Sequence, residues 1–535
     1  MNKAIFRVLL GSSALFWATT AMAQDPAAPP AEAAEPDPSD ATADAAIANA
    51  SAVDDAQAKI ELLQAQVEAL QEALEGIKAS MVKATPSWKG APQFEDKEAG
   101  WSFKPRGRLQ YDVGYVENPN DALVTRHLGF NARARRIRLG AEGTIPGGIG
   151  YKFEMDFANA GTSFGDAILT YSPTNAPVTL TVGNHETFNG LEQMTSSRFS
   201  SFVERAAFDD AFINTRRLGI SGGYANKAGT LRVNAGLFAA HSIDSTLDND
   251  GWIGAARATY SPLMGSNQLH FGINYQHRNF QSNNGATASS SSGQPSTNQL
   301  ARYRARPFTQ LTDVRFVDTG NFAAKSDNII GFEAAGIFKS LHIAAEGQYL
   351  KANAYDAGDT VTFNAASDDP VDQLDVFSSP QFVPDGNPSF WGGYIEAGYF
   401  VTGETRGYKG GQWDRTKVLK PFSKGGFGAI QVIGRLDYLD LDDNALKSGC
   451  TNNFVTGVCT APSTATLLGK GGKQLGFLAG VTWIPEAYLR VLVNYSHAAI
   501  EGGPQAAIVK PNSSKDVDER KYGIDAVQAR FQVDF

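Results

Sequence analysis

Seven arginines crowd into one short stretch of this chain: Arg106, Arg108, Arg126, Arg133, Arg135, Arg136 and Arg138. A guanidinium stays charged at any physiological pH. It can also hold an oxyanion through two parallel hydrogen bonds. The chemistry this cluster offers is therefore the binding or guidance of anions. A second reading stands beside it. Glu142, Glu154, Asp156 and Asp166 follow closely, and the arginines could simply pair with them. In an extended chain side chains alternate between two faces. Arg106, Arg108, Arg136 and Arg138 then share the polar face, whereas Arg133 and Arg135 have the opposite parity and are expected at a rim.

A second charged stretch, 185–213, carries Glu192, Arg198, Glu204, Arg205, Asp209 and Asp210 among aromatic residues. Arg216 and Arg217 follow, and alternation turns one of the two inward. Other chemistries find less support. Gly161-Thr162-Ser163-Phe164-Gly165 matches the nucleophile elbow of esterases, which needs a strand before it and a helix after it. Here strand patterns flank both sides, so the match reads as chance and no catalytic residue is assigned. The seven histidines have no paired ligand spacing, and CxxC, HExxH and P-loop motifs are absent. No metal or cofactor is expected. The basic runs Arg302–Arg306 and Arg406–Lys424 could suggest nucleic acid. In an exported protein, loops meet small ions or lipopolysaccharide first.

The elements that must position these charges are strands. The chain ends Val527-Gln528-Ala529-Arg530-Phe531-Gln532-Val533-Asp534-Phe535, apolar at every odd position and polar at every even one. That is a strand with one greasy and one wet face. The same alternation recurs from about residue 103. Leu109, Tyr111, Val113 and Tyr115 oppose Arg108, Gln110 and Asp112, and Tyr151, Phe153, Met155 and Phe157 oppose Lys152, Glu154 and Asp156. Sixteen candidate strands begin near 103, 133, 149, 164, 177, 214, 228, 249, 266, 326, 341, 388, 427, 471, 486 and 524. Short turns alternate with long loops, and Tyr115, Tyr171, Tyr260, Phe338, Tyr349 and Trp483 fall where a membrane-interface girdle would lie. The pattern predicts an all-β, sixteen-stranded antiparallel transmembrane barrel over 100–535. The connection 402–426 breaks the rhythm, because parity puts it at the short-turn end although it is long and basic.

Residues 1–23 read as a signal peptide, with Lys3 and Arg7, an apolar Val8–Trp17 and the cleavage motif Ala21-Met22-Ala23. Residues 24–52 form an acidic Ala/Pro-rich spacer. Residues 53–84 hold a heptad seam (Val53, Ile60, Leu63, Val67, Leu70, Leu74, Ile77, Met81). It predicts a short α-helical coiled coil with copies of itself, or a helix packed on the barrel. Cys450 and Cys459, in an oxidising compartment, are expected to form a disulfide in one loop. Residues 100–535 hold 40 basic and 41 acidic side chains, so the barrel as a whole carries no anion-attracting charge. Selectivity would have to come from the local field.

Three blocks then invite comparison with a known family. The first is Arg136-Ile137-Arg138-Leu139-Gly140, Gly150 to Phe157, and Asp166-Ala167. The second is Thr195-Ser196-Ser197-Arg198, Phe202-Val203-Glu204-Arg205 and Arg216-Arg217-Leu218-Gly219. The third is Phe400 to Tyr408. In their order and spacing they resemble the phosphate-selective porin O and P family over about 100–535. The resemblance implies a trimeric, sixteen-stranded anion porin of the bacterial outer membrane with its third long loop folded into the lumen. An N-terminal coiled coil occurs in some relatives. On this view Arg136, Arg138, Arg198, Arg205, Arg216 and Arg217 supply a positive field at a constriction. The partners it implies are small anions or other solutes, with phosphate or polyphosphate among the candidates, outer-membrane lipid and lipopolysaccharide, two further copies of the chain, and peptidoglycan through the N-terminal segment. The alternatives are a general, non-selective porin whose coiled coil tethers it to the cell wall, and an esterase at Ser163.

Overall fold

The computed structural model describes residues 57–73, 75, 87–88, 90–96 and 98–535, apart from 159–160, 213–214, 244–250, 281–299, 321, 355–383, 385, 447–450, 453–458 and 461–469. The chain divides into two units, Met1–Met81 and Val82–Phe535. In the first, residues 57–73 are helical, and Ile60, Leu63, Val67 and Leu70 of the heptad seam are exposed. The signal peptide, the spacer and Cys450 lie outside the described residues.

The second unit is a closed barrel. Its long strands are β1 (Trp101–Val116), β2 (Gly129–Ile145), β3 (Ile149–Asp156), β4 (Ser163–Tyr171), β5 (Val178–Glu186), β6 (Arg216–Ala225), β7 (Leu231–Ala239) and β8 (Gly251–Tyr260). They continue as β9 (Asn267–Phe280), β10 (Phe322–Phe338), β11 (Leu341–Ala354), β12 (Ser389–Phe400), β13 (Ala429–Asp440), β14 (Lys473–Glu486), β15 (Leu489–Glu501) and β16 (Lys521–Asp534). Each pairs antiparallel with its neighbours, and β16 closes on β1 from Ala526↔Val116 to Asp534↔Arg108. Closure leaves no sheet edge to be satisfied in lipid. Every strand begins within four residues of its expected position.

The alternation places the side chains as expected. Phe531 and Val533 are exposed on the outer wall, while Arg530 is buried within and pairs with Asp112 at 2.6 Å. Tyr115, Tyr171, Tyr260, Phe338 and Tyr349 are exposed on the outer face. The terminal Phe535 exchanges two backbone hydrogen bonds with Gly107, at 3.0 and 3.1 Å. Its ring occupies the space above that glycine, where a Cβ would lie only 2.0 Å away.

Two features depart from simple alternation. The first is a bulge in β2, where the register with β1 jumps between Gln110↔Arg136 and Tyr111↔Ala134. Arg135 is the extra residue, so Arg133 falls opposite the buried Asp112 and faces inward. The expectation of Arg133 and Arg135 at a rim is thereby corrected: one bulge reverses the parity of every residue before it.

The second is that the lumen is not simply wet. Loop residues Phe202, Phe208, Phe212, Tyr303, Leu311 and Phe316 cluster with inward-facing Ile329, Leu350, Phe390, Leu439 and Leu478. Each such aromatic stabilises the arrangement by roughly 1.5–3 kcal/mol when fully buried. Three connections therefore fold into the barrel: 187–215 after β5, the described part (300–320) of the segment after β9, and 401–428 after β12. The last leaves from the short-turn end, as parity requires. The strand count does not slip there; the long segment turns up inside.

Candidate functional site

The 187–215 loop is seated on one side of the lumen. Val203 N–H donates to Asn494 Oδ1 at 2.7 Å, Arg530 donates to Val203 O at 2.5 Å, and Gln532 donates to Arg198 O at 3.1 Å. Its Ala207–Phe212 helix lies against β11, β12 and β13. Phe188 holds a left-handed backbone (φ 59°) where the loop leaves β5. That conformation costs a bulky residue about 1–3 kcal/mol, and packing against His185 and Phe238 offsets it.

On the loop's other side, toward β1–β6, an open cavity of about 580 Å³ remains. Nine cations line it: Arg106, Arg108, Arg136, Arg138, Lys152, Arg198, Arg205, Arg216 and Lys409. Four carboxylates oppose them, Glu154, Asp166, Glu186 and Asp414. The excess of five positive charges contrasts with a barrel that is close to neutral overall.

Most of these cations have partners. Arg106 pairs with Glu142, and Lys152 with Asp166. Arg138 reaches both Glu154 and Asp156 at 2.7 Å. Arg216 reaches Asp166 at 2.5 Å and Glu186 at 2.9 Å. Arg108 donates to Ser197 Oγ at 2.7 Å and lies 3.6 Å from Glu154. Glu142, Glu154, Asp156 and Asp166 are thus paired, and the cations lining the cavity outnumber its carboxylates. Arg136 differs. It donates to Gln110 Oε1 at 2.9 Å and forms no salt bridge among the described residues.

The remaining candidates divide. Arg198 faces the cavity, its guanidinium 5.1 Å from the Phe199 ring centroid and 3.7 Å from Asp534. Burial and the neighbouring Arg106 lower its pKa from the ordinary value. Arg205 lines the cavity but gives its donors to the loop itself, binding the carbonyls of Glu192, Gln193 and Thr195 at 2.9–3.2 Å. Arg217 is buried, donates to the Arg216 carbonyl at 2.8 Å and does not line the cavity. Glu204 does not cancel the field as a free charge. It is bound by Arg135 at 2.9 Å and Arg530 at 2.7 Å. Burial opposes its ionisation, yet Arg135, Arg530 and Arg136 outweigh burial and hold its pKa below the ordinary carboxylate value.

Lys409, Gln412 and Asp414 were not among the sequence candidates. They belong to the segment after β12, whose Arg406 donates to Ser201 Oγ at 3.3 Å and whose Trp413 N–H donates to Thr195 Oγ1 at 3.2 Å. The signal available was that segment's length and basicity. The Arg302–Arg306 run also faces inward in part: Arg306 holds Asp210 of the constriction loop at 3.0 Å. Ser163 opens β4 and runs on as strand, so the strand-turn-helix setting of an esterase elbow does not surround it.

A closed sixteen-stranded barrel with an apolar outer belt and an in-turned third loop beside a charged cavity is an outer-membrane porin, and its place is the bacterial outer membrane. A family model described as "Phosphate-selective porin O and P" matches residues 103–535, and the chain belongs to that family. An uncharacterised protein of Caulobacter vibrioides is 33% identical over 474 residues, 86% of this chain and 80% of that one. Porin O of Pseudomonas aeruginosa is 28% identical over 393 residues, 68% of this chain and 78% of its own. A solved anion-selective porin from Comamonas acidovorans superposes with a TM-score of 0.43 at 14% identity, covering 81% of this chain and 100% of that one.

Proposed function

We propose that this porin passes small anions of the phosphate class by passive diffusion through the eyelet between the 187–215 loop and the β1–β6 wall. The observation that carries the reading is the excess of five positive charges around a 580 Å³ cavity. In a narrow opening with low-dielectric walls such a field raises the local anion concentration and repels cations. Arg136 and Arg138 on the wall, Arg198 and Arg205 on the loop, and Arg216 at the start of β6 supply it. Arg217 supports it only from behind. Paired carboxylates favour a second reading, a general pore with a neutralised wall. The reversal potential of the purified protein in a KCl gradient separates the two. A potential on the anion side supports the first, and one near zero the second.

The working form of this reading is a trimer. The family supports it, and so does the wall itself: β3 to β8 are only 8–10 residues long, against 12–17 for the other strands. The exposed Ile60, Leu63, Val67 and Leu70 stripe would be covered in a coiled coil of the three chains. Peptidoglycan contact through the preceding spacer and lipopolysaccharide around the barrel complete the proposed set of partners. A Cys450–Cys459 disulfide fits the short pairing of Asn452 with Cys459.

A further inference from the structure

The eyelet's width depends on where the constriction loop rests, and one wall residue outside the cavity grips that loop through several contacts at once. We propose that Arg435 of β13 is the positioning residue that fixes the width of the open pore; the inference rests on the reading that ions pass between this loop and the β1–β6 wall. Arg435 does not line the cavity. Its side chain is 1% exposed. From Nη2 it binds Glu192 of the loop at 2.6 Å and Glu396 of the neighbouring β12 at 2.6 Å. Nε adds a 3.1 Å bond to Glu396 and Nη1 a 3.2 Å bond to Glu192. The guanidinium is also sandwiched between rings, 4.1 Å from the Tyr394 centroid on the wall and 5.0 Å from Phe202 on the loop.

The geometry is that of a clamp, not of an isolated ion pair. The wall supplies Glu396, Asp437 at 4.0 Å and Tyr394, and the loop supplies Glu192 and Phe202, so the guanidinium joins the two surfaces by charge and by stacking. A planar fork with five donors can make this set; an ammonium cannot. Glu192 is committed in turn, because its Oε2 accepts the Ala206 N–H at 2.9 Å and so folds the loop on itself. The approach is close on the wall side as well. A Cβ on Gly190 would fall 1.5 Å from Glu346 Oε1, so the loop has no room to settle deeper. Loss of the clamp therefore releases the Glu192 side chain from β13 and loosens that part of the loop, while Asn494, Arg530 and Gln532 still hold Val203 and Arg198.

The test is single-channel recording in planar bilayers of wild type, Arg435→Gln, Arg435→Lys and the double variant Glu192→Gln/Arg435→Gln. Wild type is expected to show one sharp conductance level. Arg435→Gln is expected to lose it and to switch among sublevels, and Arg435→Lys to recover it only in part. The double variant should be no worse than Arg435→Gln, since both changes cut the same link. A folded Arg435→Gln with the single wild-type level overturns the proposal. If Arg435→Gln does not fold, Glu192→Gln read in the same way decides, and an undisturbed level overturns it. Arg136→Gln is the separate control on the conduction path. If it leaves ion selectivity unchanged, the path reading fails, whatever Arg435 does.

Discussion

At the residue scale the eyelet contains two kinds of arginine, which should respond differently to removal. Arg136 donates to a neutral glutamine, so Arg136→Ala removes one positive charge and leaves no carboxylate bare. A unit charge at about 4 Å in a water-filled pore is worth about 1 kcal/mol. A several-fold fall in anion over cation permeability is expected, read from the reversal potential. Arg138 binds Glu154 and Asp156, so Arg138→Ala also leaves Asp156 without its arginine and Glu154 with Arg108 alone. Its loss should be larger and move the pore toward cation preference. Asp209 makes a different case. Its carboxylate is buried with neither oxygen hydrogen-bonded. Burial, then Glu192 and Glu346, raise its pKa well above the ordinary 3.8. A folded pKa above the unfolded one means the folded state holds the extra proton, so this group's cost grows as pH rises above 3.8. Asp209→Asn should therefore stabilise the protein at pH 7, because the amide is neutral without taking up a proton. The gain should vanish in acid below the ordinary carboxylate value. The temperature at which the heat-modifiable band unfolds, measured at both pH values, checks this.

At the element scale the bulge and the in-turned segments matter more than any single charge. Arg135 is the inserted residue of β2, and its own side chain binds Glu204. Deleting it would remove the bulge yet keep Gln110 opposite Arg136 and Asp112 opposite Arg133, so Arg133 would still face inward and only the bond to Glu204 would be lost. The deletion and Arg135→Ala should therefore both still give a barrel, each weakened at Glu204; urea-gradient gel mobility checks this, and a deletion that fails to assemble would mean the bulge itself is needed. The 401–428 segment can be tested by replacing 405–416 with a short glycine-containing turn. That removes Lys409, Gln412 and Asp414 from the eyelet. Conductance should rise while the barrel still folds. An unchanged conductance would mean the narrowest point lies wholly between the 187–215 loop and the wall.

At the scale of the whole molecule the balance is between a greasy outer wall and a packed, charged interior. Exposed Leu, Val, Ile, Phe and Tyr side chains cover the outer face, while Arg257–Glu333, Arg278–Asp327 and Arg530–Asp112 are paired and buried inside. Such pairs hold inward-facing strands together only as sets, because removing one partner leaves a buried charge uncompensated. The assembled protein is expected to migrate as a trimer when unheated and as a monomer after boiling. A chain lacking residues 24–84 should keep the barrel's channel but lose stability as a trimer. Crosslinking of both forms would show this, and an equal trimer yield from each would argue against the coiled coil.

Much of this protein was legible in its residues. The alternation from Trp101 to Phe535 determined sixteen strands, their inward and outward faces and the closure of the last on the first. Local pattern suffices there, because lipid outside and water or polar groups inside act on every residue with a period of two. The arginines of β1 and β2 were visible for the same reason. Other features required the folded chain. The bulge at Arg135 leaves no mark in composition, since its neighbours are also Arg and Ala. Arg198 and Arg205 look equivalent in sequence, yet one faces the passage and the other is spent on three carbonyls of its own loop. Lys409 enters the eyelet only because the segment after β12 folds upward, and Arg435 meets Glu192 across 243 residues of chain. Those pairings are set by which surfaces a closed barrel brings face to face, a property of the ring and not of any window of its sequence.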